Sequence, residues 1–499
     1  MDTQALVSQF KDLQRRLRVY GYAMGVINYD GETAAPRQSA QGRGEAMGAL
    51  SLISYELFIN PEVEALLDAL HEQRASLDAQ TARELYLMRK EYRQTTCIPK
   101  EEYAAAAQLS SEAGSVWRDA REKNDYPMFM PYLQKLADFA ARFAGYRKPD
   151  VPAYDVMLDE YEEGVTAAYL DDYFATLRRE LVPLVHAIGE RPQPDTAFLR
   201  GTFPADSQRR LARRLMALLQ VDAERCALGE TAHPFTSSFT KWDTRITTRY
   251  EEQDLLSSLY SVIHESGHGL YEMGVDDALQ HGPLANGASM GMHESQSRLY
   301  ENMIGRSRAF QPQLLPILRD IYPDAFGKVT EDALYRAVNQ VVPGLIRTEA
   351  DELTYSMHIM IRFELERALF DGSLKVQDLP AAWNERYKSY LGLTVPNDAQ
   401  GVLQDIHWSG GAFGYFPSYS IGSAYAAQIY AAMARDIDVE GSIAAGDIGR
   451  INTWLGDKIH RHGMMYPPAQ LLEMACGQPF DATYYTDYLK NKYTALYGL

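Results

Sequence analysis

Apolar residues recur at spacings of three and four along most of this chain, the period of helices with one buried face. The pattern predicts helices over 3–24, 46–58, 81–92, 100–122, 128–146, 166–188 and 206–219, and again over 345–370, 381–391, 423–434 and 482–493. Between these groups, Leu255, Leu256, Leu259, Ile263, Gly267 and Leu270 trace a buried stripe. Asp254 is its candidate N-cap and Gly274 its candidate stop. Ser289 is placed to cap a further helix, with Met292, Leu299 and Met303 as its apolar face. The exception to the helical period is 233–250. There Phe235, Phe239, Trp242, Ile246 and Tyr250 alternate with Thr and Ser and predict a small sheet of short strands. No Ser/Gly-rich linker, repeat or low-complexity tract interrupts the chain, so one mainly α domain over 1–499, with two lobes, is expected.

The helix capped by Asp254 carries His264, Glu265 and His268. Positions i and i+4 lie one turn apart on one face, so both imidazoles reach a single Zn²⁺. Glu265 sits on the flank where a reacting water would stand. This HExxH arrangement is the ligand pair and general base of a metal-assisted hydrolase. Gly267, inside the motif, allows close packing or substrate approach.

Hydrolytic zinc sites take a third protein ligand. Glu294 follows His268 after 25 intervening residues, room for the rest of the helix, a loop rich in Gly, Asp and Asn, and a second helix beside the first. His293 is its rival. It lies about 100° round the helix, so the two do not face one metal together.

With Glu294 the chain resembles the family M32 metallocarboxypeptidases: HExxH, then His293-Glu294-Ser295-Gln296. Four more signatures match in order. His233-Pro234-Phe235 is the HPF segment, and Asp243 to Thr247 fits DxRxT. Ile346 to Asp351 fits (I/V)RxxAD, and Gly401 to Trp408 fits GxxQDxHW. The resemblance implies a mainly helical fold like that of the neurolysin and angiotensin-converting-enzyme peptidases, with a long groove between two lobes and a small sheet beside it. It also implies homodimers, and Co²⁺ as an alternative to one Zn²⁺ per chain. It places His407, with Tyr415 or Tyr419, beside the metal as donors to the oxyanion, and His233 at the closed end of the groove.

A carboxypeptidase must also hold the terminal carboxylate of its substrate, and the planar fork of arginine suits this. Arg347 is the leading candidate, set against an ion pair with Asp351 at i+4; Arg245 is the runner-up. Asp243 is a candidate to accept a hydrogen bond from a metal-bound imidazole, or else pairs with Arg245. Gln296 is placed to orient Glu294, and Gln404 to line the groove.

Composition narrows the class further. A net charge of −18 speaks against nucleic acid as a partner. The three cysteines, Cys97, Cys226 and Cys476, are few and widely spaced, which predicts free thiols and a cytoplasmic setting. No run of about 18 apolar residues predicts a membrane span, and the N-terminal stretch shows no secretory pattern. The sequence therefore reads as a zinc-dependent carboxypeptidase of broad specificity acting on peptides. An oligopeptide endopeptidase or dipeptidase on the same scaffold is the alternative.

Overall fold

The computed structural model describes residues 2–499. The first layer is α1 (Thr3–Thr33), α2 (Ala40–Phe58), α3 (Pro61–Glu72) and α4 (Ala79–Thr96). It has its own small core, including Phe10, Leu67, Leu70 and Leu85. α1 outruns its predicted end by nine residues because its last turns have a partner in the sheet. A Cβ on Gly25 would come within 2.8 Å of the Phe239 ring, and Tyr29 packs edge-on against Phe235. α3 has no counterpart among the predicted helices, and its signal is local rather than periodic: Asn60 caps it, accepting from the Val63 amide at 2.9 Å, ahead of Pro61.

The second, larger body begins with α5 (Lys100–Lys123), α6 (Tyr126–Arg147), α7 (Ala153–Tyr161), α8 (Ala167–Gly189) and α9 (Ala205–Leu218). The sheet follows, as β1 (Cys226–Glu230), β2 (Thr236–Thr240) and β3 (Asp243–Thr248), in the order β1-β3-β2. β3 is central, parallel to β1 and antiparallel to β2, so β2 is an edge.

α10 (Leu255–Gly274) carries the histidine motif, with Asp254 accepting from the Ser257 amide at 3.2 Å. α11 (Met290–Arg298) starts at Ser289, which accepts from the Met292 amide at 3.0 Å, and runs on into a π-helical turn, Leu299–Gly305. α11 is wedged between α10 and a later helix, α17. The remaining helices are α12 (Gln311–Ile321), α13 (Pro323–Phe326), α14 (Glu331–Val338), α15 (Glu352–Phe370), α16 (Leu379–Leu391), α17 (Pro417–Asp436), α18 (Val439–Ala444), α19 (Ile448–Lys458), α20 (Pro468–Cys476) and α21 (Thr483–Tyr497). Two glycines make the wedge possible. A Cβ on Gly267 would lie 2.7 Å from the Gln296 carbonyl oxygen and the Ser297 Cα, and one on Gly422 would lie 2.7 Å from the Glu294 Cβ. Neither helix could approach α11 as closely with a larger residue there.

The predicted helix over 345–370 is two elements. Arg347–Glu349 is a 3₁₀ turn, and Asp351 caps α15, accepting from the Thr354 amide at 3.0 Å. A carboxylate spent on capping cannot pair helically with Arg347, so the expected i+4 ion pair is absent. α17 begins at Pro417, six residues before the predicted start, which brings Tyr419 into its first turn.

Candidate metal centre and groove

α10 and α11 cross so that His264 Nε2 and His268 Nε2 both face one oxygen of Glu294, at 3.6 and 3.4 Å. One donor atom from each of the three lies within 4.8 Å of the others. Two imidazoles and a carboxylate turned to one point, with their other polar atoms already engaged, fit a divalent cation.

Those other atoms are held on every side. His264 Nδ1 lies 2.9 Å from Glu301 Oε2. His268 Nδ1 lies 2.5 Å from His293 Nδ1, and His293 Nε2 lies 2.6 Å from Glu272 Oε1. His293 therefore stands behind His268, and Glu294 is the side chain turned to both imidazole Nε2 atoms. The far oxygen of Glu294 accepts from Arg298 Nε at 2.7 Å. Arg298 also reaches Glu301, at 3.2 Å, and lies over the Tyr355 ring.

Burial and charge set the protonation states. Burial opposes the ionised form of Glu294, but Arg298 and His264 outweigh it and hold the carboxyl well below its usual range. Against burial, Glu294 and Glu301 raise His264 to about 10, while burial takes His268 down to about 3. A cation arriving here thus displaces a proton from His264. Glu265 is pushed up by burial, and its Oε2 accepts from Thr236 Oγ1 of β2 at 2.6 Å.

These groups open on a groove of about 1010 Å³, walled by His264, Glu265, His268 and Glu294 and faced by Tyr415 and Tyr419. The Tyr415 ring lies 5.1 Å from Tyr419, and Tyr161 packs on its other side at 5.1 Å. His407 is not in the wall. It stands behind the tyrosines, with Nε2 3.4 Å from the Tyr419 hydroxyl and its ring stacked on Tyr415. Burial, then Arg347, lowers it to about 4, so its ring is neutral at neutral pH.

Arg347 is buried and, like His407, stands outside the groove wall. Its Nε donates to Asp405 at 2.9 Å, its Nη1 to the Tyr355 hydroxyl at 3.2 Å, and its guanidinium lies 5.0 Å from the Tyr419 ring. Among the described residues Nη2 has no hydrogen-bond partner. Asp405 is shared with Arg362, which donates to its second oxygen at 2.5 Å.

Several expectations need correction. Asp243 accepts no imidazole: it pairs with Arg245 at 2.8 and 2.9 Å and with the Tyr22 hydroxyl at 2.6 Å. The carboxylate on His264 is Glu301 instead. Arg245 is committed to Asp243 and to the Tyr29 and Phe239 rings, outside the groove wall. Gln296 is turned away from the Glu294 carboxylate and meets His460 at 2.9 Å. Gln404 holds the Arg347 turn, accepting from the Arg347 amide at 3.0 Å, and does not line the groove. His233 is an exposed loop residue; its neighbours Pro234 and Phe235 reach the wall.

Sequence reasoning missed Glu301, Arg298, Glu272 and Thr236. Arg298 and Glu301 lie four and seven residues after Glu294, a same-face spacing that signals them. Thr236 left no signal.

Residues 9–493 match the family described as Carboxypeptidase Taq (M32) metallopeptidase. The chain is 39% identical to Carboxypeptidase 1 of Bacillus subtilis (strain 168) over 501 residues, covering all of both chains. It is 36% identical to Thermostable carboxypeptidase 1 of Pyrococcus furiosus, covering 98% of each. Among solved structures it resembles the M32 carboxypeptidase from Deinococcus radiodurans R1, with a TM-score of 0.96 and 38% identity over 99% of this chain and 100% of that one.

Proposed function

The chain belongs to the M32 metallopeptidase family and is a metallocarboxypeptidase, and on that premise we propose that it holds one Zn²⁺ on His264, His268 and Glu294 and frees single residues from peptide C-termini with broad specificity. The convergence of two imidazole Nε2 atoms on one oxygen of Glu294 carries this reading. The same donors accept Co²⁺. A divalent cation there supplies Lewis acidity, polarising the scissile carbonyl and making water acidic near neutral pH.

Glu265 is the general base. Its carboxylate takes a proton from water and returns it to the leaving amine, and Thr236 keeps it aimed into the groove. The Tyr415 and Tyr419 hydroxyls are the donors to the developing oxyanion. Burial raises both phenols, so both keep their protons. His407 is a positioning residue, its neutral ring fixing the Tyr419 hydroxyl.

Arg347 holds the terminal carboxylate of the substrate. With Nε and Nη1 engaged, Nη2 is the donor left for it, beside Tyr419. Asp405 and Tyr355 fix that guanidinium, and Gln404 holds the Arg347 backbone amide, before substrate arrives.

The chain acts as one catalytic unit of two lobes, and as a homodimer. The exposed apolar side chains Val19, Leu52, Ile53 and Tyr55 on α1 and α2 support a second copy there. Among the described residues no helix is long and apolar enough to cross a membrane, and the three cysteines are free; a cytoplasmic setting agrees with both. The relatives' names favour the carboxypeptidase over the endopeptidase alternative. Mass spectrometry of one peptide, free and C-terminally amidated, with and without chelator, tests the reading. Stepwise loss of C-terminal residues from the free acid alone, abolished by chelator, is the expected result; internal cleavage of both forms would overturn it.

A further inference from the structure

Beside the groove, α4 also walls a second cavity, of about 860 Å³, and the two share Lys90 and Gln94. In a chain of net charge −18, this cavity gathers Arg74, Arg89, Lys90, Arg93, Arg147 and Lys148. Their ion pairs leave a surplus. Arg89 pairs with Asp68, Lys90 and Lys148 share Asp159, and Arg147 pairs with Glu160. Six cations thus meet three carboxylates, and Arg74 and Arg93 form no ion pair among the described residues.

Arg74 and Arg93 are exposed to solvent, whereas the paired cations are more enclosed. The Arg89 side chain is only 11% exposed and that of Arg147 only 22%, and Arg147 Nε is buried without a hydrogen-bond partner. The His71 imidazole at the rim is held below its ordinary value by desolvation, then by Arg89, Arg74 and Arg93. Like charges brought together in a cleft repel one another and focus a field that concentrates anions. The rest of the wall mixes Gln94 and Thr96 with buried Leu85 and the ring of Tyr86, which is 47% exposed and has the Arg83 guanidinium 5.0 Å from its centroid.

Guanidinium forks match phosphate oxygens bidentately, and an exposed ring offers a stacking face. We propose that this cavity binds a small phosphate-bearing polyanion with an aromatic ring, a nucleoside polyphosphate. The phosphates meet Arg74 and Arg93, whose charges are unpaired, and the ring meets Tyr86. The site is separate from the metal centre and does not depend on the roles assigned there.

Calorimetry on the metal-loaded full chain tests this. ATP, tripolyphosphate and adenosine are the probes, the first two as Mg²⁺ complexes so that they do not strip the catalytic cation. ATP is expected to bind one per chain, tripolyphosphate more weakly and adenosine not at all, with affinity falling as salt rises. The double variant Arg74→Ala/Arg93→Ala should weaken ATP at least about tenfold, with the melting temperature and peptide hydrolysis unchanged. Tyr86→Ala should remove the advantage of ATP over tripolyphosphate. The proposal fails if ATP gives no saturable heat, or if the double variant binds it like the parent. It also fails if the double variant instead loses turnover only of peptides rich in upstream glutamate, which would make the cavity an extension of the groove.

Discussion

His264 Nδ1 lies 2.9 Å from Glu301 Oε2, so the imidazole is fixed with its Nε2 toward Glu294. Glu301 sits in the π-helical turn after α11 and is itself held by Arg298 and Arg306, each at 3.2 Å. π turns are wider than α turns and often mark functional sites. Removing this support should cost metal affinity: Glu301→Gln is expected to weaken binding about 10- to 100-fold. Asp243→Asn should leave metal affinity unchanged, because Asp243 faces Arg245 and Tyr22. Competitive metal titration of the two variants checks both.

Gly267 sets the distance between the metal-bearing helices. Gly267→Ala places a Cβ 2.7 Å from backbone atoms of Gln296 and Ser297, which cannot swing aside. A loss of about 1–3 kcal/mol in unfolding free energy is expected, with weaker metal binding as α11 is pushed off α10. Gly21→Ala, within α1 and with nothing near its Cβ, should stabilise by about 0.5–1 kcal/mol. Denaturant melts of the pair read both signs.

Arg347→Ala should lower kcat/KM for free-acid peptides by about 2–4 kcal/mol, the scale for truncating one partner of a buried charge pair. Asp405 keeps Arg362, so the fold should survive and the metal stay bound. Lys at this position should rescue in part, keeping charge without the fork. Rates on free and amidated forms of one peptide check this; an unchanged acid-to-amide ratio would rule out the carboxylate role.

Glu366 is fully buried and accepts from Trp408 Nε1 at 2.7 Å and from the Gly414 amide and the Tyr154 hydroxyl at 2.9 Å each. Burial still pushes it up to about 7 from an ordinary 4.5. A raised folded value means the folded state holds its proton longer. Its contribution is fully present below 4.5 and is lost as pH rises through 7, about 3 kcal/mol in all. Glu366→Gln should flatten the decline in stability between those pH values. Melts of parent and variant at stepped pH measure it; parallel curves would refute it.

Most of the long helices, and the convergence of His264, His268 and Glu294, were legible because their signals are periodic. His264 and His268 share a face by arithmetic alone, and Ser289 marks the start of the helix that carries Glu294. What stayed hidden depends on departures from period. The Arg347 turn reads as helix from its apolar neighbours until Asp351 is seen spending its carboxylate on a cap. β1 carries Gly229 and little β-branching, so nothing local marks it as a strand; β3 recruits it. Thr236 reaches the site through a tertiary contact between segments the sequence does not relate, whereas Glu272, four residues after His268 on α10, had a same-face spacing that signals it. Asp243 misled because an acid upstream of the motif suits two roles, and its partner, Arg245, is two residues away on its own strand.

The account rests on Glu294 as the third donor, with His293 only supporting His268. The metal-to-protein ratio of Glu294→Ala, measured beside that of His293→Ala and the parent, tests it most directly. The parent should carry about one tightly bound divalent cation per chain, Glu294→Ala should lose it together with peptide hydrolysis, and His293→Ala should keep it with reduced affinity. Full metal retention in Glu294→Ala, or its complete loss in His293→Ala alone, would contradict the account.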